Sequence, residues 1–372
     1  MKKIIIGSII ILLLTSCVRE SVFTAPVITI SEPDEVVELS VERIQTDHMY
    51  SEFFAVYDTI LISARPNDTD YNFYVSSIKN NKLLGSYMRH GQGPKEYIGL
   101  NPIYRIDVKG YDLTALTYAP HKRQLIEWNI TQSIKTGKDS LLLLGDYAEP
   151  NEYDLTYARM YKIGKSRYLG YTTGFFPYGS PRMLLPTYWI LDGQDTIAPV
   201  NGISVVKDMI YNEESVVSAP GFFSSAWELR PDNSKVFSAM TWLKQANIID
   251  LNDNSVRSYR VDGSPDERIF KTNMEGVVLQ YCSVVCDNDH IYALYSGEHT
   301  SAFKDNMGYR WIHEFDWNGN FIRKYHLSVP LFFLYMDPAT GTVYGYNYDD
   351  DNVIYKIIQP SYSDKGDAED IL

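Results

Sequence analysis

The sequence predicts an all-β protein, and more specifically a six-bladed β-propeller of four-stranded antiparallel blades. Three observations lead to this prediction: a high tyrosine content, short apolar segments separated by turn residues, and a repeat of about fifty residues. The chain has 372 residues, of which 30 are Tyr, 15 are Phe and 6 are Trp. Aromatic side chains favour strands because their rings pack well on a pleated surface. An exposed aromatic surface that binds sugars or peptides is the alternative use of these rings.

Composition and charge limit the possible function classes. Hydrophobic residues make up 45% of the chain, which is enough for a full core and excludes a disordered protein. The chain carries 34 basic and 47 acidic residues, for a net charge of −13. Nucleic acid and anionic lipid surfaces attract basic proteins, so neither is an expected partner.

The first residues are typical of an export signal. Lys2 and Lys3 precede an apolar run, Ile4 to Leu14, which is too short to span a bilayer and has the layout of a secretory signal. The run ends in Leu14-Thr15-Ser16-Cys17, which resembles the lipobox of bacterial lipoproteins. This resemblance implies cleavage before Cys17 and lipidation of its thiol, and several acyl chains anchor a protein firmly. An ordinary cleaved signal with a chance cysteine is the alternative.

These signals divide the chain into four segments. Residues 1–16 are the lipoprotein signal peptide, and residues 17–46 are a lipid-anchored tether and first strand region. Residues 47–360 are the propeller, and residues 361–372 are a C-terminal tail. The expected location is the bacterial cell envelope, with the lipid in the outer membrane. Which side of that membrane the protein faces stays open.

The predicted propeller begins with a meander of three strands. Phe53–Ser63 alternates as one strand, Tyr71–Ile78 is the second and Lys82–Met88 is the third. Clusters of Pro, Asn and Asp separate these strands, as expected for turns. A glycine-rich turn, Gly91-Gln92-Gly93-Pro94, closes the meander.

The repeat is clearest in the second half of the chain. Three stretches each contain a strand, an Asp-containing turn and a second strand with an apolar–aromatic pair: 225–239, 282–294 and 332–345. Two further strands follow each of the first two stretches, which makes the repeat a four-stranded antiparallel unit. Stacked units bury one another's faces, and radial stacking makes a propeller. Roughly 315 residues at about 52 per unit make six blades, whereas blades of about 40–45 residues would make seven.

The segment from His90 to Tyr97 contains a recognisable motif, Gly-Gln-Gly-Pro-Lys-Glu-Tyr. It resembles the Gly-x-Gly-Pro-x-Glu-Tyr/Phe segment of TolB-like six-bladed propeller lipoproteins of Bacteroidetes, within the NHL-like propeller group, with Lys95 where Gly is commoner. With the lipobox and the repeats, this resemblance covers most of the chain and implies a six-bladed propeller, but it implies little about activity. Glu96 is a candidate binding residue at a blade junction or the central channel. Its alternative role is structural, within the turn.

Few residues are candidates for catalysis or metal binding. The chain has neither a Gly-x-Ser-x-Gly nor a His-Glu-x-x-His motif, so no catalytic residue and no metal ligand is assigned. The acidic cluster Asp349–Asn352 is expected to be a solvated turn, with calcium there or in the channel as the alternative. Cys282 and Cys286 are expected to be buried and free, because four residues of strand span about 13 Å, too far for a disulfide.

An aromatic segment in the middle of the chain supplies a candidate binding surface. Phe175, Phe176 and Tyr178 lie among Gly and Pro in a long predicted loop, and such loops often carry binding sites. Packing between blades is the alternative. The favoured function is a protein- or glycan-binding or scaffold module without catalytic activity. The alternative is a metal-dependent hydrolase or lactonase-like enzyme with its site in the central channel.

Overall fold

The computed structural model describes residues 26–47, 49, 53–64, 70–146, 157–173, 187–192, 195–200, 223–263, 277–299, 308–350 and 352–358. The described part begins with two strands, β1 (Val27–Ile30) and β2 (Val36–Gln45). They do not pair with each other. Each instead joins a sheet made by residues much later in the chain.

The strands that follow form four-stranded antiparallel units, which we name A to F in chain order. Unit A consists of β3 (Phe54–Tyr57), β4 (Ile60–Ala64), β5 (Tyr71–Ser77) and β6 (Lys82–Arg89). Unit B consists of β7 (Ile106–Lys109), β8 (Asp112–Ala119), β9 (Gln124–Asn129) and, after the helix α1 (Ile130–Thr136), β10 (Leu141–Asp146). A short 3₁₀ helix, Pro120–Lys122, connects β8 to β9. Unit C consists of β11 (Tyr157–Lys162), β12 (Arg167–Thr172), β13 (Thr187–Asp192) and β14 (Asp195–Val200).

The second half of the chain repeats this arrangement. Unit D consists of β15 (Ser225–Leu229), β16 (Lys235–Met240), β17 (Gln245–Asp250) and β18 (Val256–Val261). Unit E consists of β19 (Tyr281–Cys286), β20 (His290–Tyr295), β21 (Tyr309–Asp316) and β22 (Phe321–Leu331). Unit F consists of β23 (Phe333–Met336), β24 (Val343–Tyr346), β25 (Val353–Ile358) and the N-terminal strand β2.

The N-terminal strands lie on the outer edges of the last three units. β1 pairs in parallel with β18 of unit D. Within β2, Val36–Leu39 pairs in parallel with β22 of unit E, and Ser40–Gln45 then pairs antiparallel with β25 of unit F. Strand β2 thereby joins units E and F into one continuous sheet of eight strands.

The predicted repeat is confirmed, and one predicted strand is wrong. All three repeat stretches of the second half form the hairpins expected from their sequences. The expected single strand over Phe53–Ser63 is instead a hairpin, because the chain reverses at Asp58, whose φ of +51° suits a tight two-residue turn. Unit A therefore has four strands rather than three. Helix α1 was not predicted.

The units follow one another around a ring. The first strand of unit F contacts the first strand of unit A, which contacts that of unit B, and the first strands of units D, E and F also contact in sequence. Strand β11 of unit C contacts β8 of unit B. Buried apolar clusters lie between B and C, C and D, D and E, and E and F, and one more cluster joins F, A and B. The chain thus returns to its first unit, as in a propeller.

The aromatic residues that dominate the composition mark these junctions. Phe54 contacts Tyr335 between F and A, with ring centroids 6.0 Å apart, and Phe73 stacks on Trp128 between A and B at 5.5 Å. Equivalent pairs join the next units: Tyr118 and Tyr157, Tyr171 and Trp227, Phe237 and Phe315. Large rings fill the space between two twisted sheets, so most of this aromatic content is packing. No helix among the described residues has the length and apolar character needed to cross a bilayer.

Candidate functional site

A cavity of about 610 Å³ lies where the first strands of the units converge. Residues of β15, β19 and β23 line it along most of their length, and residues of β3, β7 and β11 complete the wall. The wall is mainly apolar and aromatic, with a few charged groups. This size and lining are typical of sites for small molecules.

A buried ion pair between units C and D is the main polar feature of the cavity. Nη1 of Arg159 on β11 lies 3.4 Å from Oε2 of Glu228 on β15, and it donates a hydrogen bond to the backbone oxygen of Trp227 at 2.7 Å. The hydroxyl of Tyr161 donates to Oε1 of Glu228 at 2.6 Å, and the backbone N–H of Leu229 donates to the same oxygen at 3.0 Å. Both charged side chains are only 17% exposed. The pair therefore satisfies the charges that the cavity wall would otherwise leave buried.

The guanidinium of Arg159 also packs against two aromatic rings. Its central carbon lies 3.8 Å from the centroid of Tyr104 and 4.8 Å from that of Trp227. Within the described residues, every hydrogen bond of this group leaves from Nη1. Among those residues, Nε and Nη2 have no protein partner. Neither atom is fully buried. We call Nε and Nη2 the open edge of Arg159.

Burial changes the titration of this pair. Removal from water raises the pKa of Glu228, although the charge of Arg159 and the hydrogen bond from Tyr161 partly oppose that rise. Burial also raises the pKa of Tyr161 well above its ordinary value, so its hydroxyl stays protonated and donates. Burial lowers the pKa of Arg159, but the nearby Tyr161 and Glu228 outweigh it and the net shift is upward. The guanidinium is therefore cationic at every working pH.

The other charged groups of the wall have their own partners. Arg105 pairs through Nε with Asp107 at 3.0 Å, and its two terminal nitrogens donate to Asn233 and to a backbone carbonyl. The carboxylate of Asp287 accepts two backbone N–H groups of its own turn. That of Asp337 accepts from Asp58, from Ala339 and from the hydroxyl of Thr340. Among the described residues, no three His, Cys, Asp or Glu side chains are grouped as metal ligands would be.

The two cysteines also reach the cavity wall. Both are free, as predicted, with Cys286 buried and Cys282 partly buried. Their thiols point to backbone oxygens of neighbouring units, Cys282 to Phe332 and Cys286 to Leu229. Burial raises the pKa of both thiols well above the ordinary value, so neither is a ready nucleophile.

Glu96 lies in the glycine-rich turn and not on the cavity wall. Its carboxylate accepts the backbone N–H of Gly93 at 2.9 Å, and Arg89 lies 3.8 Å away. A side chain at Gly91, where φ is +152°, would meet this carboxylate at 2.2 Å, which explains the glycine. The geometry places Glu96 in a structural role, and a binding role for it stays untested.

A lysine from the next unit holds the same turn from the other side. The ammonium of Lys122 donates to the backbone oxygens of Gly93, Pro94 and Glu96, the last at 2.6 Å. It also lies 4.6 Å from the centroid of the Tyr97 ring. The ammonium of Lys122 thus connects the motif after unit A to unit B.

Four of the residues singled out from the sequence lie outside the described residues: Cys17, Phe175, Phe176 and Tyr178. The acidic cluster at 349–352 is partly described. There Asp350 pairs with Arg43 of β2 at 3.5 Å and also accepts the hydroxyl of Tyr355. This carboxylate therefore connects β2 to β25 within unit F.

Arg159 and Glu228 were not predicted as site residues, although the sequence carries a signal for each. Each places a charge in an apolar or aromatic strand. Arg159 precedes Met160 and Tyr161, and Glu228 lies between Trp227 and Leu229. Charged residues are almost never buried unless they are paired, so two such interruptions in separate repeats indicate partners. Only the ring of units shows which two residues pair.

Comparison with known proteins supports the fold and leaves the activity open. No family model matches the chain, and no curated protein matches it. A protein of Bacteroides fragilis NCTC 9343 that is described as exported aligns with 90% of this chain and 100% of its own, at 11% identity and a TM-score of 0.53. A DUF4221 family member of Bacteroides vulgatus ATCC 8482 aligns with 88% of this chain and 100% of its own, at 12% identity and a TM-score of 0.51. At such identities the likeness concerns the fold alone.

Proposed function

We propose that this chain is an exported, lipid-anchored six-bladed β-propeller of the cell envelope that binds a small glycan in its central cavity. The observation that carries the proposal is the cavity itself, which the first strands of units A to F enclose with aromatic rings and one buried ion pair. Sugars present apolar C–H faces and hydroxyl groups, and a wall of rings with a few polar groups suits both.

The six units support the proposed count of six blades. Units A to F each contribute four antiparallel strands, adjacent units share apolar cores, and unit F contacts unit A. A propeller blade is a sheet of this kind, and its innermost strand lines the central channel. In this proposal β2 closes the ring, because it gives the last blade an outer strand from the start of the chain.

The location in the envelope rests on the N-terminal sequence, and the exported Bacteroides protein of similar fold is in keeping with it. The test is a Cys17→Ser variant expressed in a bacterium that processes lipoproteins. We expect the unchanged chain to incorporate labelled fatty acid and to sediment with membranes, and the variant to lose both properties. Equal membrane sedimentation of the two would contradict a lipid anchor.

The alternative function, a metal-dependent hydrolase, has one observation in its favour. Four carboxylate residues line the cavity, namely Asp107, Glu228, Asp287 and Asp337. Each of them already pairs with a cation or accepts hydrogen bonds from its own turn. Binding without hydrolysis is therefore the better-supported proposal. A partner surface at Phe175, Phe176 and Tyr178 remains a proposal from the sequence.

Filling the cavity tests the binding function. Ala158 lies on the cavity wall, so an Ala158→Trp variant places a large ring in the space for the ligand. Ser328 is exposed on the outer strand β22, and Ser328→Trp is the matched control. We expect the unchanged chain and the control to bind the same sugars on a glycan array, and the folded Ala158→Trp variant to lose them. Binding that survives in Ala158→Trp would rule out the cavity as the site.

A further inference from the structure

We propose that the ligand carries a carboxylate that binds side-on to the open edge of Arg159, as a uronic acid sugar would. This inference rests on the proposed function, because it names the chemistry of the ligand in the same cavity. It starts from the constraints on the guanidinium. The rings of Tyr104 and Trp227 pack against it, and Nη1 is engaged by the protein. Within the part of the chain that the structure describes, the edge formed by Nε and Nη2 has no protein partner.

That edge has the geometry of an anion site. Nε and Nη2 present two parallel N–H groups in one plane, which match the two oxygens of a carboxylate. The rings and the Nη1 contacts hold the plane of the guanidinium in place before any ligand arrives. Arg105, the other arginine of the wall, has all three nitrogens engaged, so it offers no comparable edge.

The charge of the cavity favours a carboxylate over a phosphate. Two arginines and four carboxylates line the cavity, so its wall is acidic overall. A phosphate carries about −1.5 to −2 charges near neutral pH and is repelled more strongly than a carboxylate with one. The guanidinium attracts either group, and the acidic wall discriminates between them.

The surroundings of the edge favour a sugar as the carrier of that carboxylate. Phe53, Tyr57 and Phe333 lie on the wall of the same cavity and are only partly buried. Their rings offer flat apolar surfaces to the C–H face of a sugar, while the open edge of Arg159 binds its acidic group. An aromatic wall next to a fixed guanidinium with an open edge is thus suited to an acidic sugar.

The experiment is calorimetric titration of the full chain with three probes at neutral pH: D-glucuronate, D-glucose, and acetyl-trialanine with a free C-terminal carboxylate. We expect glucuronate to bind at least about tenfold more tightly than glucose, because only glucuronate can make the charge-assisted bidentate contact. Tighter binding of the peptide than of glucuronate would overturn the assignment to a sugar.

Variants of the pair test the role of the guanidinium. Arg159→Lys keeps the charge but loses the planar edge, and glucuronate binding should fall roughly tenfold. Arg159→Gln should abolish the preference for glucuronate over glucose. Arg257→Gln, on the exposed face of β18, removes the same charge elsewhere and should leave the titration unchanged. An unchanged preference for glucuronate in Arg159→Gln would overturn the proposal.

Glu228→Gln supplies a test that does not depend on removing the arginine. This change removes the competing negative charge, while the amide oxygen still accepts from Tyr161. Glucuronate binding should become roughly three- to tenfold tighter, and glucose binding should not change. Unchanged or weaker glucuronate binding would overturn the proposal. If glucose and glucuronate bind equally well, the cavity function stands and the carboxylate inference fails; if neither sugar binds, the proposed function itself fails.

Discussion

The two halves of the molecule treat their outer edges differently. In units D, E and F, the N-terminal segment 26–47 adds strand pairs to β18, β22 and β25 in turn. In units A, B and C, the outer strands β6, β10 and β14 have no strand beyond them among the described residues. An outer strand without a neighbour exposes unpaired backbone groups, which other chains can pair with. One N-terminal segment thus covers the outer strands of units D and E and itself supplies the outer strand of unit F.

Ion pairs also join this segment to units D, E and F, which we call the protected half; units A, B and C are the bare half. Glu32, between β1 and β2, pairs with Lys244 of unit D and with Lys324 of unit E. Glu38 pairs with His326 at 2.8 Å. Farther along, Arg43 pairs with Asp350 of unit F. The segment therefore holds three units together. We expect changes in it to lower the free energy of unfolding more than changes at the bare edges of units A, B and C do.

A proline in each N-terminal strand should show the largest difference. Val41 of β2 pairs with Ile357 in the strand that closes the ring, so Val41→Pro disrupts both a ladder and the closure. We expect the free energy of unfolding to fall by about 3 kcal/mol or more. Ile28→Pro disrupts only β1, which adds a fifth strand to unit D, and should lower it by about 1 kcal/mol. Equal losses in urea titrations would show that β2 does not close the ring.

The contribution of packing is tested by one leucine from each half. Leu39 of β2 is 4% exposed and lies in the core between units E and F, whereas Leu83 of the bare strand β6 is 39% exposed. Leu39→Ala should lower the free energy of unfolding by about 2–5 kcal/mol, because it leaves a cavity. Leu83→Ala should change it by about 0.5 kcal/mol or less. Similar values for the two would mean that β2 is only loosely packed.

Local structure was more predictable than long-range pairing. The repeats of units D, E and F are visible because each hairpin has its Asp- or Asn-containing turn and its apolar–aromatic strand. Helix α1 also had a local signal that was overlooked, since Asn129 caps its first turn and Gly137 ends it with a positive φ. The hairpin at Asp58 was not predicted because its turn is a single Asp followed by Thr, a residue that favours strands, within an otherwise apolar run.

The pairing of distant residues follows from the closed ring, which no local pattern contains. Strand β2 pairs with residues about 300 positions later in the chain, and four of its ten residues pair in parallel. Arg159 and Glu228 belong to different units, so the cavity site exists only after units C and D have packed. The sequence therefore predicted the repeated unit well, and it predicted neither the closing segment nor the ion pair.

The ion pairs of Glu32 should contribute a pH-dependent part of the stability of the protected half. Burial raises the pKa of Glu32, but hydrogen bonds and charge from Lys244 and Lys324 outweigh it, so the pKa lies below its ordinary value of 4.5. The folded state therefore holds the ionised form, and its contribution is present above pH 4.5 and is lost as the pH falls through the folded pKa. Glu32→Gln should lower the free energy of unfolding by about 1 kcal/mol at pH 7, with a smaller difference in acid. A difference that is independent of pH would contradict this role.

The bare half should respond in solubility rather than in stability. Leu142 on the outer strand β10 is 57% exposed, beside the equally apolar Leu143. Leu142→Lys places a charge on an edge that could otherwise pair with another copy of the chain. We expect the free energy of unfolding to change by about 0.5 kcal/mol or less, and light scattering at high concentration to show less self-association. The matched change on the protected half is Ile358→Lys, at the end of β25 where Ser40 of β2 already pairs, and it should leave self-association as it is. If both lysines reduce association equally, general charge repulsion is the cause, and the uncovered edge of unit B has no special part in it.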